Sequence, residues 1–435
     1  MRGQAGPPLR VAVTALGCKV NYAEMADLAG ILAAAGCEVV PDDQPADVRI
    51  LNSCTVTLQA DATTRQRLHR LRREDSGAHL VLTGCSVDGN PSVYLRVDGD
   101  GRRLPHPGVD SVFSNGEKDG IAQHVLSIGA SRAALTARPT TPPSRSRAFV
   151  KIQDGCNHRC TYCSVWQARG AARSIPPAAV VERVLEAAEA GHAEVVLTGV
   201  DLGSYGRDQA TTLAQLLATL LDTVGEGTRI RLSSVNTNDI SAELIALNAH
   251  PQLCSHWHMP LQSGSDTVLR AMHRGYRRAQ YVRVCAELRA LDPDTEFTTD
   301  VMVAFPGEST SDHADTIRLI EDTQMLAVHA FRYSPRPGTA ASELSVRVDD
   351  RVARTRNREV RRAASASGHA RRLRAVGRRD RVVWDRAQDG TAHGLTATYL
   401  EVVTDLAPAT RPGCDSLVEL TGLEGDVLRA RLVQP

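Results

Sequence analysis

The chain has 435 residues, of which 42% are hydrophobic, 23% charged and only 4% aromatic. At roughly 100–200 residues per domain, this length predicts two to four domains with hydrophobic cores. No uncharged apolar run approaches the ~20 residues needed to span a bilayer, and the first residues lack the apolar region of a signal peptide. The sequence therefore predicts a cytoplasmic protein that has no membrane partner.

Charge is balanced over the whole chain but unevenly distributed along it. The formal net charge is +1, from 51 basic and 50 acidic residues. From Arg351 to the end there are 16 arginines against 10 acidic residues, a net charge of +6, so the first 350 residues carry −5. A basic surface at one end of the chain indicates an acidic partner.

Apolar runs alternate with amphipathic stretches in the N-terminal part, which we assign to residues 9–128. This order predicts a parallel sheet with helices packed on it. Residues 129–147, which include Pro139, Pro142 and Pro143, predict a linker. The predicted strands are Leu9–Ala15, Asp47–Leu51 and Leu80–Thr83, and the predicted helices are Glu24–Ala35 and Ala60–Arg73.

The alternation resumes over residues 148–349, where six βα units predict an incomplete parallel barrel. A closed eightfold barrel typically needs ~250 residues. The six predicted strands are Phe149–Gln153, Glu194–Thr198, Arg229–Ser234, His256–Met259, Phe297–Ala304 and Val328–Tyr333. The helices predicted between them are Pro177–Ala190, Thr211–Val224, Ile240–Asn248, Arg278–Leu291 and Ser311–Thr323.

The C-terminal part has a different sequence pattern. Residues 350–375 form an Arg-rich stretch with helical spacing, and such a run is either a solvated helix face or a contact for phosphates. Residues 376–435 contain short β-like runs that predict a small β-barrel of the oligonucleotide-binding kind. The arginines at helical spacing are Arg351, Arg354, Arg358, Arg361 and Arg362, and the β-like runs are Arg381–Trp384, Thr396–Val403, Ser416–Leu420 and Val427–Val433.

Three cysteines lie within eight residues, directly after the first predicted barrel strand: Cys156, Cys160 and Cys163. Three thiolates can hold a four-iron cluster and leave one iron open to another ligand. A structural zinc site normally has four protein ligands, and His158 is the alternative fourth ligand here. The spacing favours the iron–sulfur cluster.

A second set of three cysteines, Cys18, Cys54 and Cys85, follows three predicted parallel strands of the N-terminal part. Because the carboxyl ends of parallel strands face one crevice, these distant residues are expected to converge there and hold a second metal site. The alternative is that they are three unrelated small hydrophobic residues at the edge of a core. The other cysteines, which we assign to packing, are Cys37, Cys254, Cys285 and Cys414.

The Cys-x3-Cys-x2-Cys spacing, with Tyr162 before the last cysteine, resembles the signature of radical S-adenosylmethionine (SAM) enzymes. This resemblance implies a [4Fe–4S] cluster whose open iron binds SAM, whose cleavage then yields a radical that abstracts an unactivated hydrogen. The residues that it implies for SAM binding end the second and third barrel strands: Gly199, Asp201, Ser233 and Ser234.

The order of the three parts resembles the methylthiotransferase family, whose C-terminal barrel is called TRAM. The stretches Leu16-Gly-Cys-Lys-Val-Asn21 and Cys54-Thr-Val-Thr57 are similar to the branch that modifies N6-threonylcarbamoyladenosine in tRNA. The resemblance implies two [4Fe–4S] clusters, SAM, and conversion of a C–H bond at carbon-2 of this adenine into C–S–CH3. It also implies the tRNA anticodon loop as a partner and an electron donor such as flavodoxin or ferredoxin, and it names no sulfur donor.

Several positions differ from the usual family pattern. Ile175 replaces an arginine, Asn236 and Thr237 stand where Glu-Pro is common, Ala304 replaces a glycine, and Arg332 replaces a proline. None of them is a cluster cysteine, so the reaction type is unaffected. They leave open a methylthiotransferase paralogue that acts on a protein side chain or a small metabolite. A non-catalytic RNA-binding protein with structural metal would not need two sets of three cysteines.

Overall fold

The structure is a computed structural model and describes residues 7–55, 58–98, 100, 103–130 and 146–433, with the backbone alone at Leu58, Arg103 and Ala130. Most of the predicted linker, including Pro139, Pro142 and Pro143, and the Val56-Thr57 part of the second motif lie outside these residues. The chain divides into two compact units. The first consists of Met1–Ser144, Gly155–His158 and Cys163–Ala171, and the second of Arg145–Asp154, Arg159–Tyr162 and Ala172–Pro435.

The first unit is built on a five-stranded parallel sheet with the strand order β2-β1-β3-β4-β7. All six residues of the central strand β3 are buried, as expected for a parallel strand that is covered on both faces. The strands of this unit are β1 Arg10–Ala15, β2 Glu38–Val40, β3 Val48–Ser53, β4 His79–Gly84, β5 Leu95–Val97, β6 Arg103–Pro105 and β7 Ser111–Phe113. Its helices are α1 Lys19–Ala34, α2 Leu58–Glu74, α3 Cys85–Gly89, α4 Pro91–Tyr94, α5 Ile121–Ala130 and α6 Val165–Arg169. The predicted parallel sheet is confirmed.

The second unit contains six parallel strands in two sheets of three, with the orders β8-β11-β12 and β13-β14-β15. A bridge between Ser234 and His258 joins the two sheets, so the strands follow one another in the predicted barrel order. The strands are β8 Arg147–Lys151, β9 Gln153–Asp154, β10 Arg173–Ser174, β11 Glu194–Thr198, β12 Arg229–Leu232, β13 His256–His258, β14 Glu296–Val303 and β15 Ala327–Arg332. The helices are α7 Pro177–Glu189, α8 Leu213–Thr223, α9 Ala242–Ala246, α10 Asp266–Ala271, α11 Arg278–Leu291, α12 Thr310–Thr323 and α13 Asp350–Ala375.

The C-terminal residues of this unit form a closed five-stranded barrel with the order β16-β17-β18-β20-β19. Its strands are β16 Arg379–Gln388, β17 Thr391–Thr396, β18 Glu401–Asp405, β19 Asp415–Glu424 and β20 Val427–Leu432. The small barrel is confirmed, but the single predicted strand Thr396–Val403 is wrong. The chain turns there because Tyr399 has a φ of +71° and the Leu400 amide donates to the Thr396 hydroxyl over 3.0 Å.

Hydrogen bonds from arginines of the larger barrel connect it to this small barrel. Arg231 on β12 is fully buried, binds Glu194 on β11 over 2.8 Å and donates to the carbonyl oxygens of Thr396 and Ala397 at 2.9 and 3.0 Å. Both residues lie on the sheet β8-β11-β12, and Glu194 begins its strand. Arg229, which begins β12, also donates to the carbonyl oxygens of Arg381 and Leu395 at 2.9 and 2.8 Å, so the small barrel is anchored near the amino-terminal ends of these strands.

Helix α13 has an acid-paired buried side and an exposed basic side. Arg356 binds Glu308 over 2.7 Å and Arg371 binds Glu296 over 2.9 Å, and all four side chains are buried. These two arginines therefore serve packing.

Across the described residues, we find no helix with the length and apolar character that crossing a membrane requires.

Candidate metal centres

The first unit brings together the three N-terminal cysteines, as their positions after parallel strands predict. Cys18 caps helix α1 after β1, Cys54 follows β3, and Cys85 begins α3 after β4. A Cβ atom on Gly17 would lie 2.4 Å from the Cys54 sulfur, and Cys85 lies close enough to Cys18 to contribute to the raised pKa of the Cys18 thiol. Gly17 also has a φ of +90°, so this close approach of the two loops requires glycine.

Buried amides hold the loops that carry Cys18 and Cys54. The Nδ2 of Asn21 donates to the carbonyl oxygens of Leu16 at 2.7 Å and Ser53 at 2.9 Å. Asn21 lies in the Leu-Gly-Cys-Lys-Val-Asn motif, but the sequence analysis assigned it no role. The structure shows that it fastens the end of β1 to the end of β3.

One arginine reaches the third thiol from a distant part of the sequence. Arg169, the last residue of α6, donates from Nε to the Cys85 sulfur over 3.2 Å. Its Nη1 donates to Glu24 over 2.7 Å, and Glu24 also binds Lys118 over 2.5 Å. Nothing in the sequence points to these three charged residues, because no local pattern relates positions so far apart in the chain.

The donors around these thiols fit an iron–sulfur cluster. Cys54 and Cys85 are buried, whereas Cys18 keeps an exposed surface. Although part of Cys18 is exposed, the protein around its sulfur excludes water and raises the pKa of this thiol. The Arg169 charge and the backbone N–H of Asn21 partly oppose this effect. Metal binding therefore has to displace a proton from this thiol. Three convergent sulfurs with a cationic donor on one of them suit a cluster that three cysteines hold.

The second set of cysteines lies on the loop after β9. The Cys156 amide donates to the carbonyl of Gly170 over 3.1 Å, and the Cys163 sulfur accepts from the Val165 amide over 3.4 Å. In the second unit, the Cys160 sulfur accepts from Nη1 of Arg274 over 3.3 Å. The sulfurs of Cys160 and Cys163 therefore each accept a hydrogen bond, and Arg274 supplies a positive charge beside Cys160.

The predicted SAM residues lie at the carboxyl ends of β11 and β12. Ser233 is buried, and its hydroxyl has no hydrogen-bond partner among the residues that the structure describes, whereas Ser234 is exposed. Asp201 is buried and Gly199 half-buried. A Cβ atom on Gly199 would come within 2.9 Å of the Gln153 amide oxygen, so glycine at this position also serves packing.

Asn236, one of the positions that differ from the family pattern, joins two parts of this site. Its Nδ2 donates to Asp201 over 3.0 Å, and its Oδ1 accepts from Nη2 of Arg274 over 2.5 Å. A hydrogen-bonded series therefore runs from Cys160 through Arg274 and Asn236 to Asp201. An asparagine can make both contacts because it carries a donor and an acceptor.

Two other divergent positions have structural explanations. Ala304 has a φ of +60°, the left-handed conformation that the usual glycine adopts without strain, and its amide donates to Glu308. Arg332 lies at the end of β15 and helps to line a groove on the exposed side of α13, with a volume of about 440 Å³. The other residues that line the groove are Arg351, Arg354, Asn357, Arg358 and Arg361. Arg362, which the helical spacing grouped with them, is exposed but does not line the groove.

Comparisons with known proteins agree with this arrangement. Residues 150–320 match the radical SAM superfamily, and residues 10–99 match a family described as uncharacterized protein family UPF0004. The structure of the radical SAM methyltransferase TsrM from Kitasatospora setae is similar, with a TM-score of 0.54, 13% identity and 77% of each chain covered. The fold and the cysteine motif thus define a radical SAM protein.

Curated relatives narrow the class to one family. The threonylcarbamoyladenosine tRNA methylthiotransferase MtaB of Thermotoga maritima is 35% identical, with 86% of each chain covered. The protein of the same name in Bacillus subtilis is 32% identical, covering 82% of this chain and 80% of the relative. The tRNA-2-methylthio-N(6)-dimethylallyladenosine synthase of Frankia alni is 33% identical, covering 91% and 86%. This chain belongs to the radical SAM methylthiotransferase family, and its cofactors are SAM and [4Fe–4S] clusters.

Proposed function

We propose that this protein converts the C–H bond at carbon-2 of N6-threonylcarbamoyladenosine in tRNA into C–S–CH3. The observation that carries the proposal is the presence of two separate sets of three cysteines, one of which converges at the end of a parallel sheet. The names of the relatives in Thermotoga maritima and Bacillus subtilis support the choice of nucleoside, as does the motif around Cys18.

Each cysteine set has its own role in this proposal. Cys156, Cys160 and Cys163 hold the [4Fe–4S] cluster that binds SAM, and Cys18, Cys54 and Cys85 hold a second [4Fe–4S] cluster. When bound, one SAM at the first cluster would supply the radical that takes the hydrogen from carbon-2, another SAM would supply the methyl group, and the second cluster would present the sulfur that carries it. The protein positions them and keeps water away, and Arg169 and Arg274 supply positive charge beside one thiol of each set.

SAM lies along the carboxyl ends of β11 and β12 in this proposal. The buried Ser233 hydroxyl supports this location, because a buried hydroxyl without a partner costs free energy unless a ligand satisfies it. Asp201 and the exposed Ser234 provide further polar groups, and Gly199 leaves room beside Gln153.

The tRNA backbone lies along the arginine groove of α13 and the small C-terminal barrel. The groove side of the helix has exposed arginines, while Arg356 and Arg371 are turned inward to buried carboxylates. Clustered exposed arginines suit phosphates. The modified adenine of the anticodon loop has to leave its stack before its carbon-2 can react.

Three further elements complete the proposal. A protein such as flavodoxin or ferredoxin delivers the electrons, and the protein works in the cytoplasm with its tRNA. The chain has five parts in this proposal: the N-terminal domain 9–128, the linker 129–147, the partial radical SAM barrel 148–349, the Arg-rich helical connector 350–375 and the TRAM-like barrel 376–435. The source of sulfur is left unassigned.

The test compares two triple variants of the anaerobically reconstituted full-length protein. Wild type is expected to hold about eight irons in two clusters. Replacing Cys156, Cys160 and Cys163 by alanine should leave about four irons and abolish SAM cleavage. Replacing Cys18, Cys54 and Cys85 by alanine should leave SAM cleavage but stop methylthio transfer to tRNA. Retention of both clusters in the second variant would contradict the assignment of the N-terminal cysteines.

A further inference from the structure

Arg169 connects the segment after the radical SAM motif to the N-terminal cysteines. It ends helix α6, which begins two residues after Cys163, and its side chain is only 1% exposed. Its guanidinium donates to three different groups of the first unit: Cys85 at 3.2 Å, Glu24 at 2.7 Å and Asn21 at 2.6 Å. The planar guanidinium of arginine can donate hydrogen bonds to all three partners at once, which the single ammonium group of a lysine cannot do in this geometry.

Charged groups of both signs lie close to Cys85. Glu24 is the acceptor for both Arg169 and Lys118, and it also accepts from Nδ2 of Asn52 over 3.1 Å. Two cations therefore share the Glu24 carboxylate, and the Asp88 carboxylate, which accepts from Nδ2 of Asn115 over 2.6 Å, also interacts with both of them. The Arg169 donor lies 3.2 Å from the Cys85 sulfur, closer than the Asn115 amide at 3.8 Å, so a positive charge sits directly beside this thiol.

We propose that Arg169 is a positioning residue that sets the reduction potential of the N-terminal cluster and helps to retain it. This inference rests on the proposed function, because it requires that Cys18, Cys54 and Cys85 hold a cluster. Hydrogen bonds to the sulfurs and the local net charge are among the factors that set the potential of such clusters. A positive donor at Cys85 stabilises the reduced, more negative state, so its removal lowers the potential.

The experiment uses full-length protein in which Cys156, Cys160 and Cys163 are alanine, so that one cluster remains to be measured. In this background we compare Arg169→Gln, Arg169→Lys and the unmodified parent. Arg169→Gln removes the charge but leaves Glu24 with Lys118 and Asn52 as partners, so the unit is expected to fold. Arg70→Gln is the matched control, because Arg70 lies on α2 of the same unit with its side chain 60% exposed.

The measurements are iron content, the unfolding midpoint, and a dithionite titration followed by the electron paramagnetic resonance of the reduced cluster. Arg169→Gln should lower the ratio of reduced to oxidised cluster at a fixed potential about tenfold, equivalent to about 59 mV for one electron. Arg169→Lys should show a smaller shift because it retains the charge. Arg70→Gln should titrate like the parent.

The outcomes separate this inference from the proposed function. A parent protein without iron would contradict the cluster assignment itself. A parent with about four irons whose titration is unchanged by Arg169→Gln would overturn only the role of Arg169. Loss of iron from Arg169→Gln would support the role in retention if the iron-free variant unfolds at the same midpoint as the iron-free parent, because a bound cluster itself stabilises the fold. Loss of iron from both Arg169 variants, with iron-free midpoints below that of the iron-free parent, would overturn it, because Arg169 would then serve the fold alone.

Discussion

Arg274 donates from Nη1 to the sulfur of Cys160 over 3.3 Å, while its Nη2 donates to Asn236. The same guanidinium also contacts the ring of Tyr276, whose hydroxyl donates to the carbonyl of Pro260 over 2.7 Å. One half-buried cation therefore fixes a thiol of the radical SAM motif against the carboxyl ends of the barrel strands. It is the counterpart, in the second unit, of the bond between Arg169 and Cys85.

Replacing Arg274 by methionine should slow SAM cleavage at least tenfold, which corresponds to about 1.4 kcal/mol of activation free energy. The variant loses a charged donor beside Cys160 and leaves the Asn236 and Asp201 pair without its third member. Iron content should be unchanged because the three cysteines remain. The measurement is the rate of 5′-deoxyadenosine release without tRNA, with Arg270→Met, on the exposed face of α10, as the control. A rate equal to that of the control would contradict this role.

Gly17→Ala should remove the N-terminal cluster and leave SAM cleavage intact. The added methyl group would meet the Cys54 sulfur, and the positive φ of residue 17 strains any other residue. Iron content should fall from about eight to about four per chain. Gly30→Ala is the matched control, because Gly30 lies within α1 with open space around it, and alanine favours a helix. Eight irons in Gly17→Ala would show that the two loops separate further than the structure indicates.

Neutralising the arginine groove should weaken tRNA binding and its dependence on salt. Changing Arg354, Arg358 and Arg361 to glutamine preserves helix propensity and removes three positive charges from the groove. The slope of log affinity against log salt should become shallower by up to about 2–3, at ~0.7–0.9 per lost phosphate contact.

The control for the groove variant changes three exposed arginines of other helices, Arg270, Arg283 and Arg318, and it should leave the slope unchanged. SAM cleavage without tRNA should persist in both variants. An equal loss of affinity in the two variants would mean that only total charge matters. An unchanged slope in the groove variant would show that the groove side of α13 faces solvent and does not contact the tRNA backbone.

Glu194→Gln should lower the free energy of unfolding by about 3–5 kcal/mol, because it leaves buried arginines without their carboxylate. Burial alone raises the pKa of Glu194, but Arg231, Arg229 and Arg147 outweigh it and hold the pKa far below its ordinary value. The exposed Glu189→Gln serves as the control, and thermal unfolding is the measurement.

The pH dependence of this difference follows from the direction of the shift. With the folded-state pKa depressed, the stabilising contribution of Glu194 is complete above the unfolded-state pKa of about 4.3 and is lost as the pH falls below it. The gap between wild type and Glu194→Gln should therefore be constant from about pH 8 to pH 6 and shrink below about pH 4.5. A gap that already shrinks above pH 6 would contradict the ion pairing.

The parts of the fold that depend on local patterns were predictable from the sequence. Buried apolar runs predicted β1, β3 and β4 of the first sheet, and the rule that parallel strands end at one edge brought Cys18, Cys54 and Cys85 together. Helix α1 begins at Lys19, earlier than predicted, because the cysteine loop leads directly into it.

The remaining features depend on contacts between residues that are distant in sequence. No spacing pattern relates Arg169 to Cys85, and the role of Asn236 is visible only beside Arg274 and Asp201. Helical spacing grouped the arginines of α13, but which of them are exposed depends on where Glu308 and Glu296 lie. The turn that divides the predicted strand Thr396–Val403 arises from a positive φ that an aromatic residue seldom adopts.

The proposed reaction transfers a methylthio group to N6-threonylcarbamoyladenosine in tRNA. Mass spectrometry of nucleosides from bulk tRNA tests it in a deletion strain that is complemented with wild type or with the Cys18, Cys54 and Cys85 triple alanine variant. We expect 2-methylthio-N6-threonylcarbamoyladenosine to disappear on deletion, to return with wild type, and to stay absent with the variant while its unmodified precursor accumulates. An unchanged nucleoside profile on deletion would contradict this proposal and point to a protein side chain or a small metabolite as the substrate.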